Sequence, residues 1–197
     1  MAIAEKIDKA FYLRKKLATA MAKSTHVISS IFKYVADVAL YLCHSGFRQK
    51  IQQRLRDECN AAPKDKKLVL CAHSLGTVIS IDTLRKLDIN HEDILLITGG
   101  SPLERWLHRF IPNAYPPSRH IQESLEREGK VKWVNVYRTA DPIGSVLGLK
   151  RESEFDLSGS KYRGRWSLPA HADYWSDTDM ADAVVSSLTM NTATKKL

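Results

Sequence analysis

Ser74 has Ala72 two residues before it and Gly76 two residues after it, in the run Ala72-His73-Ser74-Leu75-Gly76. A serine at the tip of a tight strand-to-helix turn projects its hydroxyl above a sheet, and small residues on either side let the backbone pack through the turn. The helix that follows points its N-terminus at the serine, and the Leu75 N–H can hold an oxyanion. That chemistry is nucleophilic attack on an acyl carbonyl. The alternative reading of the same residues is an ordinary strand-helix turn with Ser74 as the helix cap.

A serine hydroxyl is a weak nucleophile. It needs a base within hydrogen-bond reach, and the base needs a carboxylate to orient it. When the serine comes from such a turn, the acid follows it in the chain and the histidine comes last. Asp141 follows the apolar run Val131-Lys132-Trp133-Val134-Asn135-Val136-Tyr137, with Pro142 behind it. His171 is the only histidine after His120 and precedes the last helical pattern, so a loop is expected to carry it. Asp156 and Asp173 are fallback acids; Asp173 is expected to be too close to His171 in sequence to orient it. His73 is expected to point elsewhere on the turn. His91, His108 and His120 precede the acid and fall in the wrong order.

Several elements must hold these residues. Leu68-Val69-Leu70-Cys71-Ala72 is a short apolar run suited to a strand buried on both faces, which makes Cys71 a buried small hydrophobe. Helical spacing follows over 77–87. A second buried strand is expected over 94–98, ending at Gly99-Gly100. Residues 103–110 read as a short helix, and residues 118–128 as another that Gly129 stops. Val131 to Tyr137 is the third strand. Residues 141–174 read as mostly irregular, with a short strand near 154–157, and Asp177 or Thr178 caps a last helix. Strand and helix alternate from residue 66 onward, so the fold class is α/β, a parallel sheet with covering helices.

The front of the chain reads differently. Residues 5–23 form a basic amphipathic pattern with Ile7, Phe11, Leu13 and Leu17 among Lys6, Lys9, Arg14, Lys15 and Lys16. It reads as a helix packed on its own domain, with peripheral contact to an anionic membrane as the sharper alternative. Helical spacing returns over 27–42 and 47–59, interrupted by His44-Ser45-Gly46. The organisation expected is a helical region over 1–60, a core over 61–190 and a frayed tail over 191–197.

Four blocks in order resemble lipase-like α/β-hydrolases. Leu70-Cys71-Ala72-His73-Ser74-Leu75-Gly76-Thr77-Val78 resembles the nucleophile elbow. Thr98-Gly99-Gly100-Ser101-Pro102-Leu103 is similar to the turn after the next strand in that group. Trp133-Val134-Asn135-Val136-Tyr137 with Asp141-Pro142-Ile143-Gly144 resembles the acid strand and loop, and His171-Ala172-Asp173-Tyr174-Trp175 the histidine block. The resemblance spans about residues 65–180. It implies that fold and carboxylic ester substrates, often lipids, with Ser74, Asp141 and His171 as the triad and no metal. One departure stands out. Members of the group place several strands before the elbow, one ending in a His-Gly-type loop that donates a second oxyanion N–H. Residues 1–60 read as helices, and no buried strand leads into His44-Ser45-Gly46. Loss of one such donor costs about 3 kcal/mol of transition-state stabilisation. The elbow strand is then expected near an open sheet edge, which a helix, a partner chain or a second copy must cover.

Composition bounds the alternatives. The chain has 197 residues, 44% hydrophobic and 26% charged, enough for one domain with a sizeable core and unlike a disordered chain. Thirty Lys and Arg against 22 Asp and Glu give a net charge of +8. The aromatics do not interleave with a basic stripe, so no nucleic-acid partner is expected. Three cysteines without a C-x-x-C pair argue against a disulfide scaffold or a zinc site. The sequence has neither a Walker loop nor a G-x-G-x-x-G after a strand, so neither a cofactor nor a metal is expected. The apolar stretch over 27–43 contains Lys33 and Asp37 and is short for a bilayer. With no secretory pattern at the front, a cytoplasmic location is expected, membrane-peripheral if the front helix binds lipid. The function expected is serine-dependent ester hydrolysis; the alternative is a non-catalytic interaction module or a subunit completed by a partner chain.

Overall fold

The computed structural model describes residues 36–86, 89–157, 162 and 166–193. The basic pattern over 5–23 lies outside them. The chain divides into two compact units, Met1–Arg54 and Leu55–Leu197. In the first, residues 36–43 are helical, and helix α1, Ser45–Ala61, begins after His44. His44-Ser45-Gly46 thus forms a helix junction, where His44 Nδ1 accepts the Phe47 N–H at 3.0 Å. No strand leads into it.

The second unit is an α/β structure. Strands β1 (Leu68–His73), β2 (Ile94–Gly99), β3 (Val131–Tyr137) and β4 (Glu154–Asp156) form one sheet in the order β1-β2-β3-β4, and all pairs are parallel. Parallel neighbours require crossovers. Helix α2 (Leu75–Leu84) links β1 to β2 and packs on β1; α3 (Ser118–Glu126) precedes β3 and packs on it. A π-helical turn, Leu103–His108, follows β2. The β3–β4 crossover is irregular until a short 3-10 turn at Arg151–Ser153. Helix α4 (Leu168–Ala172) and the long α5 (Thr178–Ala193) close the chain. Helix α5 runs into the segment expected to be tail; residues 194–197 lie outside the described ones.

Side chains alternate across the sheet, so register decides which residues share a face. Leu95, Ile97, Val134 and Val136 fall on one face and pack with Leu157, Tyr174, and Met180 and Ala183 of α5. Each valine, leucine, isoleucine or methionine among them contributes about 1.5–3 kcal/mol when fully buried. β2 is buried at every position. β1 departs from the expectation of burial on both faces. Val69 and Cys71 pair with Leu95 and Ile97, yet Val69 is 37% exposed and Cys71 is exposed, not a buried hydrophobe. The reason is position: among the described residues β1 is an edge strand, and none of its residues joins the core cluster formed with Met180 and Ala183 of α5. Among the described residues, no helix is long and apolar enough to cross a membrane.

Candidate active site

The turn between β1 and α2 holds Ser74 at φ 55°, and no other non-glycine residue among the described ones has positive φ. That backbone costs about 1–3 kcal/mol and persists only where neighbours enforce it. They do so here: the Ser74 N–H donates to Gly99 O at 3.1 Å, and its carbonyl accepts the Thr77 N–H at 3.0 Å and the Thr77 hydroxyl at 2.6 Å. A Cβ on Gly76 would stand 4.0 Å from the Ala72 methyl, ordinary contact, so alanine at 72 fits the turn. The Ser74 hydroxyl makes no capping bond, unlike a serine serving as a simple helix cap.

Three separate stretches converge on that hydroxyl. His171 Nε2 lies 2.9 Å from Ser74 Oγ, and its Nδ1 lies 3.0 and 3.1 Å from the two oxygens of Asp141. A carboxylate only accepts, so Nδ1 carries the proton and Nε2 offers its lone pair to the serine. Asp141 is fully buried, while Ser74 and His171 each keep 8% exposure. Burial alone would raise the Asp141 pKa. The hydrogen bond and charge of His171, with the N–H groups of Gly144 and Ile143, outweigh it and hold the acid below its ordinary range. Leu75 opens α2, so its N–H has no acceptor within the helix.

His171 sits on the short helix α4, not on the loop expected for it; Ser167 caps that helix through the Ala170 N–H. Its Asp173 neighbour takes the Tyr162 hydroxyl instead of orienting His171, and Asp156 ends β4 on the surface. His91 bonds the Cys59 carbonyl and His108 lies by the Tyr115 carbonyl.

Four residues of the site carried no assigned role in the sequence. His73 does not point away: its Nε2 lies 2.7 Å from the His171 carbonyl, and the two rings are 4.6 Å apart. Burial, then the neighbouring His171, lowers its pKa, so it stays neutral and donates that bond. Arg105 donates to the Asp141 carbonyl at 2.5 Å and lies under the Trp166 ring. Arg138 is fully buried, donates to Ala170 O at 2.8 Å and pairs with Asp177. The Tyr174 hydroxyl donates to Asp141 Oδ2 at 3.0 Å. Only Tyr174 had a legible signal, since three residues on from His171 brings a side chain back to the same side of a helical turn.

No group of three or more His, Cys, Asp or Glu among the described residues is arranged to hold a metal ion. Comparison with protein-family models, with curated proteins and with solved structures returns no match.

Proposed function

We propose that this chain is a serine-dependent hydrolase of carboxylic esters, with an α/β-hydrolase-like core. The observation that carries the reading is the unbroken hydrogen-bonded line from Ser74 Oγ through His171 to a buried Asp141. As Oγ attacks the acyl carbon, its proton passes to His171 Nε2, and Asp141 stabilises the imidazolium. The Leu75 N–H holds the oxyanion. Collapse expels the alcohol, which takes the proton back from His171. Water, giving a proton to His171, then attacks the acyl carbon, and His171 passes that proton to Ser74 Oγ as the ester bond breaks and the acid leaves. Lipid esters are the favoured substrates, on the resemblance of the four sequence blocks; a membrane-peripheral setting belongs to the same reading and rests on the basic pattern over 5–23.

A second reading has its own observation. β1 ends at the nucleophile, and its outer edge pairs with no strand among the described residues. In that reading a partner chain or a second copy adds a strand there and brings the second oxyanion donor.

One experiment separates them. The purified chain is treated with a fluorophosphonate probe beside Ser74→Ala and His171→Ala. The hydrolase reading expects labelling of the wild type that both substitutions abolish, and a rate about ten-thousandfold lower in Asp141→Asn. A folded wild-type chain that stays unlabelled would sink the stand-alone enzyme and leave the partner-completed reading.

A further inference from the structure

We propose that Tyr174 is a positioning residue for the candidate triad, its single hydroxyl proton aimed by the Arg138 backbone so that it fixes the Asp141 carboxylate against His171. The proposal draws its consequence for catalysis from the hydrolase reading, but the geometry stands without it.

A phenol has one proton to give. Tyr174 Oη accepts the Arg138 N–H at 3.0 Å, and that bond turns the remaining proton toward Asp141 Oδ2, also at 3.0 Å. The same Oδ2 lies 3.0 Å from His171 Nδ1, while Oδ1 accepts the Ile143 N–H at 2.7 Å. With the Gly144 N–H the carboxylate therefore has four donors, and only one of them, His171, moves a proton in the reaction. Tyr174 cannot swing away. Its ring is fully buried in the cluster of Leu95, Ile97, Val134 and Val136. A Cβ on Gly99 would stand 3.2 Å from it, so the sheet backbone passes directly over the ring. The Arg138 guanidinium lies 4.5 Å from its centroid. That guanidinium also holds Ala170, the residue before His171, so one buried side chain locks both the tyrosine and the histidine-bearing helix.

The other charged and titratable groups around the dyad have different partners. From β1, His73 bonds the His171 carbonyl; from the π-helical turn, Arg105 bonds the Asp141 carbonyl. From the end of β3, Arg138 pairs with Asp177 at the start of α5, and Asp173 takes Tyr162. Among the described residues, Tyr174 is the side chain besides His171 that bonds the Asp141 carboxylate. Burial, followed by the Asp141 charge, pushes the phenol far above its ordinary pKa, so it remains a donor at any working pH.

A donor to a carboxylate lowers the carboxylate's appetite for a proton. Removing it makes Asp141 more basic, and the coupled Asp141–His171 dyad must then bind its proton more tightly. A tyrosine that merely fills the core has no such effect, because phenylalanine fills it equally. The test is NMR titration of the full-length chain with isotope-labelled histidine, the His171 ring signals being identified by their loss in His171→Gln. Tyr174→Phe is expected to move the dyad's midpoint to higher pH, with about a tenfold gain in proton affinity. Replacing the tyrosines with 3-fluorotyrosine, a stronger donor of nearly the same shape, is expected to move it to lower pH, and covers the case in which Tyr174→Phe does not fold. An unchanged midpoint in folded protein, with either replacement, overturns the proposal. Because the titration needs no turnover, a wild type that fails to label with fluorophosphonate counts against the hydrolase reading, while the NMR midpoints decide on Tyr174 separately.

Discussion

A methyl group on Gly144 would stand 2.5 Å from Asp141 Oδ2, 2.5 Å from Gly100 Cα and 2.7 Å from Gly100 C. Two of those neighbours are backbone and the third is the buried acid, so none can yield cheaply. Gly144→Ala is expected to cost about 1–3 kcal/mol by overpacking and, by shifting Asp141, to slow fluorophosphonate labelling about a hundredfold. Gly129 offers the contrast. It has φ 72° after α3, but a Cβ there meets nothing within 4 Å. Gly129→Ala is expected to cost about 1 kcal/mol for the left-handed backbone alone and to leave labelling unchanged. Urea unfolding and labelling rates on the two variants check both; equal labelling by both would mean that Asp141 is not held as the contacts around Gly144 require.

The β3–β4 crossover is the element that carries the acid, and no α-helix stiffens it. A side chain does so instead. The Glu154 carboxylate accepts the N–H groups of Leu147, Gly148 and Leu149 at 2.7–3.2 Å, and Asn135 Nδ2 lies 3.2 Å away. Asn135 is itself held by Thr98, which takes the Trp133 indole N–H, so a polar ladder runs from β2 through β3 to the loop. Backbone donors gathered on one carboxylate are charge-assisted bonds, stronger than neutral ones. Glu154→Ala is expected to cost about 2 kcal/mol and to speed hydrogen exchange across 145–149. Unaltered exchange there would show that the loop holds itself. None of this was legible in sequence. Residues 141–174 read as mostly irregular because their order comes from side chains that meet across the fold, not from a repeating pattern.

At the scale of the molecule, groups whose pKa the fold shifts set how stability follows pH, three of them in the candidate site. An unfolded His73 binds a proton near 6.5; the folded one, lowered first by burial and then by His171, resists it. The unfolded state then holds more protons, so stability falls as pH drops below 6.5. Asp141 works in the same sense at lower pH. Burial would raise it, but His171 and two backbone N–H groups hold it below 3.8, so the stability it gives is lost as pH falls through that depressed value. Tyr174 has the opposite sign. Burial and then Asp141 raise its pKa above the ordinary 10.0, so the folded chain keeps a proton that the unfolded chain gives up, and stability falls above pH 10. Burial likewise raises the Cys59 and Cys71 thiols above 9.0, so a thermal midpoint measured against pH should be highest between 6.5 and 9, and His73→Gln should remove the first acid decline. A decline that survives that substitution intact would assign it to other groups.

The sequence by itself determined the alternation of strand and helix, the positions of the four strands to within a residue or two, and which serine, acid and histidine were candidates. These follow from local rules: apolar runs and their periods, small residues at a turn, the order of three residue types along the chain. Tertiary structure alone decided the rest. It left Cys71 exposed although its run is apolar, because burial of a strand depends on what lies beside it, and among the described residues β1 has a strand on one side alone. It turned His73 onto the back of His171, and it buried Arg138, a residue whose charge gives no sign of burial until Asp177 and Ala170 are brought to it. Contacts between residues far apart in the chain leave no period in a single sequence, and the support around Asp141 is built almost entirely from such contacts.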